Sequence, residues 1–319
     1  MSTQGSFILT ADWHVQGERP RCRLDSDWLE TQRQTIRWIV GQARERKLPL
    51  VVLGDIFNTP RVATPALVMV IEELMPLAKH GHLFIEAGNH DLPFHNYDNV
   101  SDCSYGVLRQ YFQELHDAGW MLPDGETDWE INAAPFGRDD KPGSSPFVFT
   151  HQLVFPNAEA RPIEGIGITA EELAAEFHFP AWIFTGDYHH SFETYAADLE
   201  NEGGTRVVNP GCIIRHSADM MDYQPKIAMI DTVDGTVEWI DIPELGIVED
   251  GTPVVTDRYL REAEVRSEKV DSFLASIQSQ GTVSLSFRDN LQRKLDDPKL
   301  DTDVRDEILG ILNSLNKEK

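Results

Sequence analysis

Leu83-Phe84-Ile85-Glu86-Ala87-Gly88-Asn89-His90-Asp91 is the stretch from which the fold of this chain can be read. Its first five residues, apolar except for Glu86, surround the β-branched Ile85 and predict a short strand over residues 83–87. Its last four place a carboxamide, an imidazole and a carboxylate directly after a glycine, so reactive side chains arrive where the strand ends. The same arrangement recurs on both sides. A strand over 7–11 runs into Asp12-Trp13-His14, and one over 50–53 runs into Gly54-Asp55. Farther along, a strand over 147–150 delivers His151, and one over 181–185 delivers Gly186-Asp187-Tyr188-His189.

Helix-period segments lie between these strands. Residues 27–47 put Trp28, Ile36, Ile39, Val40 and Ala43 on one face, and 64–79 and 169–176 read the same way. Residues 105–118 are predicted helical, with Val107, Leu108, Tyr111, Phe112 and Leu115 on one side, and 130–134 is predicted as a further strand. Strands alternating with helices predict an α/β fold of βαβ units. In such sheets ligands bind at the carboxyl ends of the strands, so the five polar strand ends converge on one edge. After residue 190 the pattern changes to hairpins, 193–197 with 206–208 around Glu202-Gly203-Gly204, and 226–231 with 236–240 around Asp234-Gly235.

Ligation by Asp, His and Asn without thiolate suits manganese, iron, zinc or magnesium better than a structural zinc site. Taken singly, Asp12 and His14 also fit a strand-end cap, Asp55 a helix N-cap, and 88–91 a plain turn. The ordered set is what chance matching of short motifs does not supply.

This constellation resembles the calcineurin-like metallophosphoesterases, whose pattern is D-x-H, G-D, G-N-H-D/E, H, then G-H-x-H; the likeness covers roughly residues 7–215. It implies a layered sandwich of two mixed β-sheets flanked by helices, and a dinuclear metal-dependent phosphodiesterase. By the resemblance, Asp12, His14 and His189 hold one divalent ion, Asn89, His151 and Asp187 hold a second, and Asp55 bridges them. His90 serves the leaving group or transition state rather than a metal, and Asp91 orients it. Asp187 departs from the pattern, which has His there. A carboxylate adds negative charge and favours harder ions, and the adjacent His190 is the alternative ligand in another loop register. Manganese is the expected metal, with magnesium or iron as alternatives. His80, His82, His95, His116, His178 and His216 belong to no motif and are read as structural.

Within that family, residues 11–15, 54–58 and 88–92 are similar to the SbcD-type repair and recombination nucleases, phage forms in particular, and Val208-Asn209-Pro210-Gly211 loosely matches their later turn. This implies a Mn-dependent DNA exo- or endonuclease subunit that partners an SbcC-type, SMC-like ATPase and forms a homodimer. Arg19, Arg21 and Arg23, with Arg61, would touch phosphates at the mouth of the site. Two alternatives remain: a phosphatase or small-nucleotide phosphodiesterase of the same fold, and a non-catalytic acidic scaffold or DNA mimic.

The charge bears on that choice. With 28 basic against 53 acidic side chains, the net charge is −25, a field that repels nucleic acid and membrane surfaces. A DNA substrate then requires bound cations, a local basic strip or a helper protein. No apolar run approaches the ~20 residues of a membrane span, and the first residues lack a secretory h-region. Cys22, Cys103 and Cys212 are odd in number and far apart, so no disulfide framework is predicted. A bacterial cytoplasm is the expected location.

The metallophosphoesterase domain is expected over 1–247, a reduced capping or linker segment over 248–283, and a helix–loop–helix over 284–319. In that small helical appendage Phe287, Leu291 and Leu295 share one face of the first helix, and Ile308, Ile311, Leu312 and Leu315 one face of the second, separated by Asp297-Pro298. By resemblance this tail docks on the coiled-coil root of the ATPase.

Overall fold

Phe7-Ile8-Leu9 and Leu50–Leu53 are apolar on both faces, which a strand tolerates only where both faces are covered. In the computed structural model both are. It describes residues 5–123, 128–136, 145–163, 165–198, 203–246, 254–258, 260–261, 295–296, 300 and 302–315.

The chain runs β1 (Ser6–Thr10), α1 (Trp28–Arg46), β2 (Leu50–Leu53), α2 (Thr64–Ala78), β3 (Leu83–Glu86), α3 (Ser104–Leu108) and β4 (Gln113–Glu114). It continues through β5 (Met121–Pro123), β6 (Asp128–Glu130), β7 (Asn132–Ala134), β8 (Phe147–Thr150), β9 (Val154–Phe155), β10 (Ile168–Thr169), α4 (Ala170–Glu176) and β11 (Trp182–Phe184). Then come β12 (Phe192–Asp198), β13 (Gly203–Asn209), β14 (Lys226–Asp231), β15 (Thr236–Asp241) and, in a second unit, α5 (Thr302–Leu315).

Two mixed sheets result. The first has the order β15-β14-β1-β2-β3-β4, with β1 to β4 parallel and β14 antiparallel to its neighbours. The second has the order β12-β13-β11-β8-β7, parallel except for β12. Strand alternation sorts the core into layers. Ile8, Leu50 and Val52 pack with Ile36, Val40, Met69 and Leu74 of α1 and α2. Phe7, Leu9, Val51 and Leu53 meet Phe147, Phe149, Phe184 and Val208 between the sheets. Val148, Ile183 and Val207 pack with Leu173 of α4. The fold is therefore the expected α/β sandwich of two mixed sheets flanked by helices.

Local signals account for the helix ends. Asp27 caps α1 by accepting from the Glu30 N–H at 3.0 Å, and Lys47 ends it in the left-handed region at φ 57°. Thr169 and Glu172 form a reciprocal capping box on α4.

Three expectations change. The helix predicted over 105–118 stops at Leu108; the chain then turns and adds Gln113–Glu114 to the edge of the first sheet beside β3. Pairing with β3, and a buried Glu114 that accepts from Tyr97 Oη at 2.7 Å and pairs with Arg109 at 2.9 Å, override the helical period. The strand predicted over 130–134 splits between β6, paired with β5, and β7 in the second sheet. Gly203 and Gly204, read as a turn, extend β13, where Gly204 leaves room for the Tyr195 ring.

Residues 1–255 form one compact unit and 256–319 another. In the second, Leu295, Val304 and Ile308 are buried. Phe287 and Leu291 lie outside the described residues, as does most of 248–283. Ile311, Leu312 and Leu315 lie on α5, but their side chains are outside the description. Among the described residues no helix is long and apolar enough to cross a membrane.

Candidate metal centre at the carboxyl edge of the two sheets

Each strand end turns sharply. Asp12 (φ 52°), His14 (φ 46°), Asp55 (φ 51°) and Asp187 (φ 72°) all occupy the left-handed region. Few non-glycine residues do so, and strain of this kind costs roughly 1–3 kcal/mol per residue. The surrounding backbone holds it. Asp12 N–H donates to Gly54 O at 3.1 Å, His14 N–H donates to Asp55 O at 2.9 Å, and Asp187 N–H donates to both Asp12 carboxylate oxygens at 3.1 Å. Two motif glycines permit the approach of the strands. A methyl on Gly54 (φ +82°) would overlap the His151 imidazole, and one on Gly88 would overlap Asp55.

The residues from both sheets form two adjoining groups. In one, His14 Nε2 lies 3.0 Å from His189 Nε2, 3.9 Å from Asp12 Oδ1 and 3.8 Å from Asp55 Oδ2. In the other, His151 Nε2 lies 3.5 Å from Asp55 Oδ2 and 3.1 Å from Asn89 Oδ1, and Asp187 is near enough for His151 and Asn89 to oppose the rise that burial gives its carboxyl. Asp55 belongs to both groups, and ligand atoms of Asp12, Asp55 and His151 lie within 4.8 Å of one another. His190 lies elsewhere, its ring against Tyr188 and Tyr223, so Asp187 is the residue that faces Asn89 and His151.

The donor set fits divalent cations. Asp12 and Asp55 are fully buried, and His14 and His151 are no more than 1% exposed. Burial pushes the Asp12 carboxyl well up; His151 opposes that shift, and Asp55 and Asp187 add to it. Burial also works to raise Asp55, but the His151, His14 and His90 imidazoles outweigh it and hold the carboxyl below the usual range. Burial pushes His14 well down, and burial with His216 beside it brings His189 to about 4. His14 and His189 therefore offer lone pairs, whereas burial works to lower His151 but the Asp55 carboxylate beside it outweighs that and raises it. The Asn89 side-chain oxygen faces only acceptors, an arrangement a cation satisfies; otherwise the amide must turn to donate to Asp55.

His90 sits at the edge of this group. Its ring is 4.9 Å from that of His14, its N–H donates to Asp55 Oδ1 at 2.8 Å, and its Nδ1 lies 3.0 Å from Asn58 O. The carbonyl fixes the proton on Nδ1 and leaves Nε2 for chemistry. The expectation that Asp91 orients His90 is corrected here. The buried Asp91 carboxylate accepts from the N–H groups of Ile56 (3.2 Å), Phe57 (2.8 Å) and Gly88 (3.0 Å), so it braces two loops while Asn58 orients the imidazole. Arg23 is corrected as well. It is 1% exposed, chelates Asp25 with two bonds of 2.7 Å and donates to Arg215 O, so it cannot reach a phosphate. Arg19, Arg21 and Arg61 are exposed; Arg19 donates to Asp25 O and Arg61 to Asp102 O.

Three contributors escaped the sequence reading. Asn58 lies in the 54–58 match, but no role was read for it, because its carbonyl acts through the backbone. Asn209, buried, donates to Tyr188 O and to His190 O at 2.9 Å, clamping the loop that carries Asp187 and His189; the Asn209-Pro210-Gly211 turn was its only signal. His216, read as structural, lies 4.7 Å from the His14 ring and 4.9 Å from the His189 ring.

The sequence matches no curated protein. Among solved structures it is similar to a conserved uncharacterized protein, described as a predicted phosphoesterase, from Streptococcus pneumoniae (12% identity, TM-score 0.34, 79% of this chain and 96% of that one). It is also similar to a metallophosphoesterase from Sphaerobacter thermophilus (13%, TM-score 0.35, 75% and 88%). The family model for calcineurin-like phosphoesterases matches residues 5–191, more than half of the chain and every strand-end motif described above, and the chain belongs to that family.

Proposed function

We propose that this chain is a metal-dependent phosphodiesterase that cleaves DNA as the nuclease subunit of an SbcC–SbcD-like complex. The observation that supports it is the single carboxylate shared by two donor groups, with the His90 imidazole at their edge. Asp12, His14 and His189 would hold one cation and Asn89, His151 and Asp187 the other, with Asp55 common to both. Two bound divalent ions, manganese foremost, supply Lewis acidity toward a phosphoryl oxygen and lower the pKa of water.

The chain's own residues set the rest. Asp12 and Asp55 present carboxyl oxygens from strained strand ends. Asp55 also holds the His90 backbone N–H, so the imidazole keeps its position beside the donor groups. Asn58 O retains the Nδ1 proton, and Nε2 carries a proton to the departing oxygen. An alkoxide leaving group, as in a phosphodiester, needs that proton.

The net charge of −25 and the burial of Arg23 leave this chain with few cations to offer a polyanion. In this reading the SbcC-type ATPase, docked on the 284–319 tail, supplies the basic track, and the nuclease acts as a homodimer. The same two observations favour a second reading, a phosphodiesterase for small nucleotides. The test incubates the protein and Asp55→Ala with Mn and linear DNA, with and without the ATPase, alongside bis-p-nitrophenyl phosphate and a phosphomonoester. Diester cleavage, with DNA cut only when the ATPase is present, supports the nuclease. Diester cleavage with DNA untouched in both arms supports the small-nucleotide reading, and a preference for the monoester refutes both.

A further inference from the structure

The family motifs bring two imidazoles to the first donor group, and the fold brings a third. His216 follows β13 on the segment after Gly211, and one ligand atom each from His14, His189 and His216 lies within 4.8 Å of the others. We infer that His216 is a further ligand of the cation held by Asp12, His14 and His189, an inference that rests on the metal reading of the site but not on DNA as substrate.

Orientation carries the first part of the argument. His216 Nδ1 lies 3.3 Å from Ile214 O, which directs its proton there and leaves the Nε2 lone pair free. The His14 and His189 Nε2 atoms are 3.0 Å apart, so they share either a single proton or a common cation.

Anchoring carries the second part. The His216 carbonyl accepts from Cys22 Sγ at 3.1 Å, and the neighbouring Arg215 carbonyl accepts from Arg23 Nη1 at 3.1 Å. Arg23 is locked in turn on Asp25. Cys212 N–H donates to His189 O at 3.0 Å, tying the segments of His189 and His216 together. These contacts fix the main chain from which the His216 imidazole reaches His14 and His189.

Chemistry gives the consequence. With His216 the first group has three imidazoles and the carboxylates of Asp12 and Asp55. The second, with Asp187 where the family has His, has one imidazole and otherwise oxygen donors. Imidazole suits iron and zinc, and carboxylate and carbonyl suit manganese and magnesium. The two positions therefore select different ions.

The experiment uses the full-length chain labelled with ¹⁵N-histidine, its imidazole resonances assigned on the wild type, and titrated with Zn²⁺. Four imidazoles, His14, His151, His189 and His216, should take on the metal-bound Nε2 shift. In parallel, Co²⁺ titration of His216→Ala, its fold checked by circular dichroism, should show one site weakened at least ~10-fold, the order seen on losing even an outer-shell partner. The other site should keep its affinity. Binding by His14, His151 and His189 with His216 unshifted overturns this proposal alone. No shifted imidazole at all overturns the metal reading and the proposal with it. If His216→Ala does not fold, the wild-type spectrum decides.

Discussion

Replacing Asp91 by Asn separates the two roles open to that carboxylate. Asp91 accepts three backbone N–H groups at 2.8, 3.0 and 3.2 Å from two loops, and it is fully buried. Asn keeps one carbonyl oxygen, able to serve the donors on one side. On the other side it turns an N–H toward an N–H. One charge-assisted bond is lost and one buried donor is left unmet, about 2–3 kcal/mol on values of ~1.5–3 for such bonds. Asp91→Ala leaves all three donors unmet and should exceed ~4 kcal/mol, within the tail reserved for broken buried networks. Urea unfolding should show the lower midpoint with unchanged slope. The pH profile of bis-p-nitrophenyl phosphate hydrolysis by folded Asp91→Asn should keep its limbs, because His90 leans on Asn58 O. Stability within ~0.5 kcal/mol of wild type, together with a displaced limb, would refute this and return Asp91 to His90.

Asp55→Ala should lose both cations, since its carboxylate is common to both donor groups; metal analysis showing two tightly held ions would contradict this. His90→Ala should retain both cations but lose ~10²–10⁴-fold in turnover, the usual scale for a proton-transfer group, and wild-type rates at saturating Mn would exclude the role. The Glu86–His116 pair makes stability depend on pH. Burial works to lower His116, but its 3.0 Å contacts with Glu86 outweigh that and raise it, and burial raises Glu86. Groups raised in the folded state stabilise at low pH, so this contribution is complete below each group's ordinary value and fades as pH rises through the folded ones. His116→Gln should accordingly flatten the fall in unfolding free energy as pH rises above the ordinary imidazole value of 6.5, and identical slopes in the two proteins would count against it.

Features that depend only on neighbouring residues are legible in the sequence. Strand, turn and polar end lie within a few positions at Gly54-Asp55 and at Gly88–Asp91, so the order of motifs and the layered α/β class were legible. Asp27 and Thr169 mark helix starts because a cap acts over three residues. The tertiary structure alone decided who meets whom. His14 and His216 lie some two hundred positions apart, and no local pattern distinguishes His216 from His80. Whether Arg23 faces water or chelates Asp25, and whether Asp91 or the Asn58 carbonyl holds His90, depends on which loops pack together. At residues 105–118 a sound helical period yielded to β3, because an edge strand beside a parallel neighbour satisfies backbone groups that periodicity cannot see. Periodicity reports which faces are apolar; the partner on each face is chosen by close packing across the whole chain.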